Sequence, residues 1–186
     1  TASSFAATLA GDNAHAVSFF SVAMGKNTEA RGQASFAHGR DAQTSASYAH
    51  AEGRETFASG DYSHAEGYQT TSSGDYSHAE GSGTRASGNY SHAEGTTNVA
   101  SGNSSHAEGA YAHSQGYFTT ASGQHSLSSG FRTTAHQNYQ AVFGKYNKQV
   151  DSHHAFIIGN GTNTGALAKN LAVFATSSII FATGSL

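Results

Sequence analysis

The apolar positions of this chain are mostly small, and they recur with a period of seven residues rather than with a helical period. A small residue stands two positions before almost every glycine, as Ala65 does before Gly67 and Ser72 before Gly74. One glycine series falls every 14 residues, at Gly11, Gly25, Gly39, Gly53, Gly67, Gly81, Gly95 and Gly109. A second series lies midway, at Gly32, Gly60, Gly74, Gly88 and Gly102. An α-helical coiled coil needs large apolar residues at two positions in seven, so this pattern excludes one.

Each run of seven predicts a strand of about four or five residues that is closed by a glycine turn, where a positive φ costs little. Two strands and two turns complete one 14-residue coil, and successive coils stack in parallel about 4.8 Å apart. The spacing therefore predicts an all-β fold, a parallel β-roll over residues 1–144.

The repeat slips by half a unit after Gly109, because Gly116 follows only seven residues later. The inserted seven residues keep the small-residue spacing, with Ser114 in an inward position. We expect the roll to continue unbroken through residues 110–116 while its two sheets exchange roles, so that the histidine position moves to the other side. The alternative is a looped-out bulge.

Residues 145–186 depart from the period and are more apolar. Residues 154–158 and 171–181 predict strands, and Asn160-Gly161 is a hairpin turn signal. We expect this short irregular β segment to cap the open edge of the roll.

Composition removes several classes of function. The chain has no Cys, so it has neither disulfides nor thiolate metal sites. Its net charge of −3 argues against a nucleic-acid partner, and its longest apolar runs are too short to insert in a membrane. It begins at Thr1 rather than Met, so we expect a processed product or a fragment.

The inward residues, Ala, Ser and Thr, bury little apolar surface against the backbone entropy that folding removes. A single rod is therefore expected to be marginally stable. Symmetric side-by-side association would bury a second face, so we expect a partner of the same kind.

The segment Ser-Val-Ala-Met-Gly at 21–25 resembles the S-V-A-I-G repeat of YadA-like trimeric adhesin heads, and the later S-H-A-E-G copies look like the same unit. This resemblance implies a left-handed roll and a homotrimer. The S-H-A-E-G variant, followed by Ala-Val-Phe-Gly-Lys-Tyr-Asn at 141–147 and His-Ala-Phe-Ile-Ile-Gly-Asn-Gly at 154–161, is similar to the C-terminal region of phage neck-appendage and tail-fibre proteins. There the repeats lead into a self-cleaving trimerisation chaperone of the peptidase G2 type. Residues 175–178 read Ala-Thr-Ser-Ser where an acidic residue and a glycine are expected, so we assign no cleavage site.

A His-Ala-Glu motif recurs once per coil, with both polar side chains on one face and the alanine on the other. We call its outward residues the His/Glu ladder: His50, Glu52, His64, Glu66, His78, Glu80, His92, Glu94, His106 and Glu108. Val22 and Met24 hold the same positions, which indicates a face that a neighbouring chain covers. The favoured interpretation is a structural, hydrogen-bonded ladder within or between chains, in which glutamates raise the pKa of the histidines and hold them as ion pairs.

The alternative for this ladder is ion binding at the trimer axis by three His or three Glu. A catalytic His–Glu pair is disfavoured, because a repeated motif describes scaffolding and an active site is a single irregular constellation. We assign no catalytic residue, no cofactor and no metal ion.

A second series, Tyr48, Tyr62, Tyr76, Tyr90 and Tyr111, lies two residues before each histidine. It predicts either stacked structural aromatics or, at Tyr62, Tyr76 and Tyr90, a contact with sugar rings of a cell-surface polysaccharide.

These features favour an extracellular or virion-surface attachment module with no enzymatic activity. The leading hypothesis is a homotrimeric shaft or receptor-binding part of a phage tail fibre or appendage, with a polysaccharide or protein receptor. The alternatives are the head of a bacterial trimeric adhesin, a secreted filament subunit, and, from a different class, a fragment of a self-cleaving peptidase G2-type protein or a glycan hydrolase.

Overall fold

The computed structural model describes residues 7–147, 154–162, 170–175 and 178–180. Every element of regular secondary structure in these residues is a β-strand. The strands alternate between two sheets as the chain winds. Sheet one contains β1 (Thr8–Ala10), β3 (Val22–Lys26), β5 (Phe36–Arg40), β7 (His50–Arg54), β9 (His64–Tyr68), β11 (His78–Ser82), β13 (His92–Thr96), β15 (His106–Ala107), β17 (Thr120–Ala121) and β19 (Thr134–Ala135).

Sheet two contains β2 (His15–Ala16), β4 (Glu29–Ala30), β6 (Gln43–Thr44), β8 (Phe57–Ala58), β10 (Thr71–Ser72), β12 (Arg85–Ala86), β14 (Val99–Ala100), β16 (His113–Tyr117), β18 (Leu127–Phe131) and β20 (Ala141–Lys145). It continues into β21 (His154–Asn160), β22 (Asn170–Ala175) and β23 (Ser178–Ile180). In the described part of the chain no helix is long and apolar enough to cross a membrane.

Each strand of the roll pairs in parallel with the strand 14 residues further on, as Ala65 in β9 pairs with Ala79 in β11. This register places equivalent residues of successive coils directly above one another. The predicted parallel β-roll of 14-residue coils is therefore confirmed.

Strand lengths differ from the prediction. The two halves of a coil are unequal, because a five-residue strand such as β9 alternates with a two-residue strand such as β10. The five-residue strand carries the His-Ala-Glu-Gly motif, whereas the short half is mostly bend and turn. Two equal strands of four or five residues per coil were therefore a wrong prediction.

The core between the sheets is thin. Every buried apolar side chain among the described residues is an alanine, apart from Val142 and Ile157 near the C-terminal end. Buried serines and threonines occupy the other inward positions, and some bond to each other across the interior, as Ser72 Oγ does to Ser77 Oγ at 2.6 Å. Small inward residues thus let the two sheets approach closely.

The glycines do not work mainly as turn residues. Gly67 and Gly81 lie inside their strands with φ of +107° and +103°, and a Cβ on either would lie 2.2 Å from a carbonyl oxygen of the next coil. Gly74, in the second series, lacks a positive φ but meets the same obstacle at 2.1 Å. Stacked coils therefore touch at Gly67, Gly74 and Gly81 and leave no room there for a side chain.

Apart from Gly83, the positive φ of each corner between Asn13 and Tyr146 falls on a residue with a side chain. One corner holds Tyr62 and Tyr76 at φ of 58° and 56°, and the other holds Glu55 and Gln69 at 57° and 55°. The glycine-turn prediction was therefore wrong about which residue makes the turn. The corners direct these side chains outward, which creates the stacked columns described below.

The half-repeat leaves the roll unbroken, as predicted. β14 pairs with β16 through Val99–His113 and Ala100–Ser114, and Ser114 is fully buried. Long strands end in sheet one at β13 and begin in sheet two at β16. The sheets have exchanged roles, and the histidine position of His113 is now on the other side.

Asn98 stabilises this junction. Its buried side chain donates to the carbonyls of Glu94 and Gly109, and its Oδ1 accepts the N–H of Ala112 at 2.7 Å. The equivalent position in the preceding coils is Thr70 or Thr84, which offers only a hydroxyl. The longer amide supplies the bonds needed where the strand pattern changes.

The C-terminal end is an antiparallel extension of sheet two. β21 pairs in parallel with β20 and antiparallel with β22, which pairs antiparallel with β23. Gly161 donates to the carbonyl of Lys145, and Gly159 pairs with Asn170, so Asn160-Gly161 is not the tight hairpin turn that the sequence predicted. Residues 171–181 were predicted as one strand, but β22 and β23 form two, and Phe181 lies outside the described residues.

Candidate functional site: the outward ladders

The histidines of the His/Glu ladder form one continuous stack along sheet one. The rings of His50, His64, His78, His92 and His106 follow one another with centroids 4.6 to 5.0 Å apart and planes within 7°. Their side chains are 35–38% exposed in the single chain. The 14-residue register causes this stack, since each histidine is paired with the next across the parallel strands.

The glutamates form a second column that zigzags against the first. Glu66 brings Oε2 within 3.8 Å of Nε2 of His64, on its own strand, and Oε1 within 3.9 Å of Nε2 of His78, on the next. Glu80 repeats this arrangement with His78 and His92, at 4.0 Å each. Glu66, Glu80 and Glu94 thus each face two imidazoles, whereas Glu52 and Glu108 at the ends of the ladder each face one within 4.0 Å.

These contacts are longer than hydrogen bonds. The His–Glu distances span 3.6 to 4.0 Å, beyond the usual limit of about 3.2 Å. Nε2 of all five histidines is shielded from solvent and has no hydrogen-bond partner. The favoured interpretation was a ladder hydrogen-bonded within or between chains. Histidine–glutamate hydrogen bonds within the chain are absent from the described ladder, and those between chains stay a prediction.

Burial lowers the pKa of His50, His64 and His78 below the ordinary value of 6.5. A neighbouring imidazole lowers the pKa of each of these histidines further, and nearby glutamates such as Glu52 and Glu80 oppose both causes without overcoming them. The expected raised pKa and protonated ion pairs were wrong for these three, because desolvation of the stacked rings outweighs the attraction of the carboxylates. At neutral pH they are uncharged beside a row of carboxylates.

A shallow groove runs beside the ladder, across successive strands of sheet one. Its walls and floor come from His38, Glu52, Glu66, Glu80, Glu94 and the glycines Gly53, Gly67, Gly81, Gly95 and Gly109. The groove is acidic and repeats with the coil spacing.

A tyrosine column occupies one corner of the roll. Tyr48, Tyr62, Tyr76 and Tyr90 stack with centroids 4.8 to 5.1 Å apart and planes within 5°. Since each ring covers the face of the next, the inner rings present only their edges and hydroxyl groups. Tyr90 is the most exposed at 64%, because Ser104 follows it in the column and leaves its outer face open.

Tyr111 does not belong to this column. It lies 21 residues after Tyr90, one and a half coils, and so falls on the opposite corner, where it stacks with His125, which in turn stacks with Tyr139. The sequence prediction of a single five-tyrosine ladder was wrong, and the half-repeat is the cause.

The continuation of the first corner beyond Tyr90 was not predicted from the sequence. Beyond Ser104 the column places Phe118 and Arg132, whose guanidinium lies 4.9 Å above the Phe118 ring centroid. Tyr117 and Phe131 stack beside them at 5.7 Å. Counting in steps of 14 from Tyr90 would have found Phe118, since the coil period is unchanged by the half-repeat.

Aspartates and asparagines beside the tyrosines connect the coils. The N–H of Asp61 donates to Oδ1 of Asp75, and the N–H of Asp75 donates to Oδ1 of Asn89, both at 3.1 Å. These bonds tie successive corners together, which keeps the tyrosine column regular.

No protein-family model matches this chain, and no curated protein matches it.

Proposed function

We propose that this chain is a structural attachment module, the homotrimeric, left-handed shaft or receptor-binding part of a phage tail fibre or appendage at the virion surface. The observation that supports the proposal best is the exposed aromatic corner of a regular rod, which runs from Tyr48 through Tyr90 to Phe118. Aromatic side chains supply large, rigid contact area at low entropic cost, which suits binding to a receptor.

Other features of the rod support self-association. Its core is alanine, serine and threonine, and Val22, Met24 and Phe36 stand outward on sheet one above the His/Glu ladder. An outward face with this composition is suited to contact with an equivalent face, and closed symmetry is the usual result. Sedimentation should give about three times 19.1 kDa. A folded monomer at micromolar concentration would refute the trimer.

The receptor contact is most specific at Tyr90, where one ring face is open to stack on a sugar. Replacing Tyr90 with Asn keeps a residue that tolerates the corner's φ of 58°. We expect Tyr90→Asn to reduce binding to the host's surface polysaccharide by about fivefold, given about 1 kcal/mol for such stacking.

Tyr111→Asn is the matched control, since Tyr111 has a similar φ of 57° on the opposite corner. Equal losses in the two variants would show that the first corner is not the receptor surface. Unchanged binding in Tyr90→Asn would refute the glycan contact while leaving the trimeric shaft to be judged by sedimentation.

A further inference from the structure

The His/Glu ladder contains four groups of ligand atoms, each made of one histidine and two glutamates from successive coils. They are Glu52–His64–Glu66, Glu66–His78–Glu80, Glu80–His92–Glu94 and Glu94–His106–Glu108, and within each the ligand atoms lie within 4.8 Å of one another. Neighbouring groups share a glutamate, which gives one carboxylate oxygen to each, as Glu66 does.

Each group leaves two electrostatic demands unmet. The histidine Nε2 is shielded from solvent without a hydrogen-bond partner, and such a polar atom is costly. The carboxylates repeat along one line at the coil spacing of about 4.8 Å and repel one another. A cation between the imidazole and the two carboxylates would satisfy both demands at once.

We propose that the ladder binds divalent transition-metal cations of the zinc type inside a single chain, each held by one histidine Nε2 and two glutamate oxygens. Imidazole and carboxylate are both zinc ligands, with bond lengths of about 2.0 to 2.2 Å. Two ligands of a tetrahedral zinc ion then lie about 3.4 Å apart. Seven of the eight His–Glu distances in these groups are 3.8 to 4.0 Å, and the eighth, between Glu52 and His64, is within 4.8 Å. Rotations of the half-exposed glutamates would bring these ligand atoms to the zinc separation.

This site differs from an ion on a trimer axis, because every ligand comes from one chain. It is also independent of the proposed attachment role. Calcium and magnesium are poorer occupants, since they take oxygen ligands and leave the imidazole unused. The fourth zinc position faces the groove and is open to water or to a further ligand.

Sharing of glutamates limits the number of ions. Two cations that share one carboxylate would sit one coil apart and repel strongly. Among four groups in a row, at most two do not share a glutamate, so we expect two zinc ions per chain. Two divalent cations also nearly balance the five ladder glutamates.

The test is equilibrium dialysis and calorimetry of untagged, chelator-stripped protein with zinc chloride as the probe. Glu66→Gln removes a ligand from the first two groups and leaves two that share Glu94, so stoichiometry should fall from two to one. Glu80→Gln disables the two middle groups but leaves the outer two, which share nothing, so it should still bind two. The double variant Glu66→Gln/Glu94→Gln should bind none.

Glu55→Gln is the control, because Glu55 is an acidic residue of the same coils that lies outside the ladder, and it should still bind two. Zinc should also raise the melting temperature of the wild type with the logarithm of its concentration, and calcium should not. Circular dichroism establishes that each variant is folded; if the double variant is not, the contrast between Glu66→Gln and Glu80→Gln decides. Absence of zinc binding, or equal stoichiometry in those two single variants, would overturn the proposal.

Discussion

Gly81 and Gly83 are only two residues apart, and both have a positive φ, but only at Gly81 would a side chain collide with the next coil. Gly81 lies within β11 at φ +103°, and a Cβ there would stand 2.2 Å from the carbonyl oxygen of Gly95. Gly83 lies at the next corner at φ +67°, and the nearest atom to an added Cβ is Thr97 Oγ1 at 3.5 Å. The equivalent corner residues Gln69 and Thr97 already carry side chains at φ of 55°.

Gly81→Ala should be strongly destabilising. An added Cβ forces the next coil away by about 1 Å, which breaks hydrogen bonds that now measure near 2.9 Å. Backbone strain of about 1–3 kcal/mol and two or more lost bonds at about 1 kcal/mol each give a total of about 3–5 kcal/mol. For a chain of this size the melting temperature should fall by about 6–20 °C.

Gly83→Ala should be nearly neutral. Its strain of about 1–2 kcal/mol is partly offset by about 0.4–1 kcal/mol from the reduced freedom of the unfolded chain. The assay is thermal unfolding by far-ultraviolet circular dichroism, at one protein concentration so that any association is equal in all samples. If both variants melt within about 4 °C of the wild type, close stacking is not what requires Gly81. Equal large losses would instead make positive φ the whole cause.

Three further predictions follow from the junction, the end of sheet one and the ladder. Asn98→Ala should lower the melting temperature by about 6–12 °C, because three backbone groups lose their partner at about 1 kcal/mol each, whereas the exposed Asn103→Ala should change it little. Similar melting temperatures of the two variants would contradict the role of Asn98. Asn147→Ala should speed hydrogen exchange of the Thr134 amide, which now donates to Asn147 Oδ1 at 2.8 Å, and protection unchanged from the wild type would exclude Asn147 as the cap of β19. Because burial lowers the pKa of His50, His64 and His78, their contribution to stability is complete above the unfolded value of about 6.5 and is lost as pH falls through the folded values. In the presence of a chelator, the melting temperature should therefore decline on acidification, and it should decline less in the double variant His64→Val/His78→Val. A rise in the wild-type melting temperature on acidification would contradict the lowered pKa values.

The period alone determined the architecture. Residues such as Ala65 and Ala79, 14 apart and always inward, can only stack if the chain coils with that length, and parallel pairing follows from the coil. The same reasoning located the half-repeat and its exchange of sheets, since an insertion of half a coil must move the long strand to the other side. These features depend on spacing, which a sequence states directly.

The tertiary structure decided everything that depends on distance and solvent. Glycine at Gly81 is explained by a carbonyl of the next coil, which a turn-based interpretation of the sequence does not contain. The pKa of His64 depends on whether desolvation or the nearby carboxylates have the larger effect, which the sequence does not determine. In the structure desolvation is larger, and the pKa is lowered. Tyr111 was assigned to the wrong corner because it was grouped with the other tyrosines by its two-residue spacing from a histidine. Side chains stack instead on residues 14 positions away, as Tyr111 does on His125. Local spacing therefore specified the winding, and contact between coils specified the chemistry of its surface.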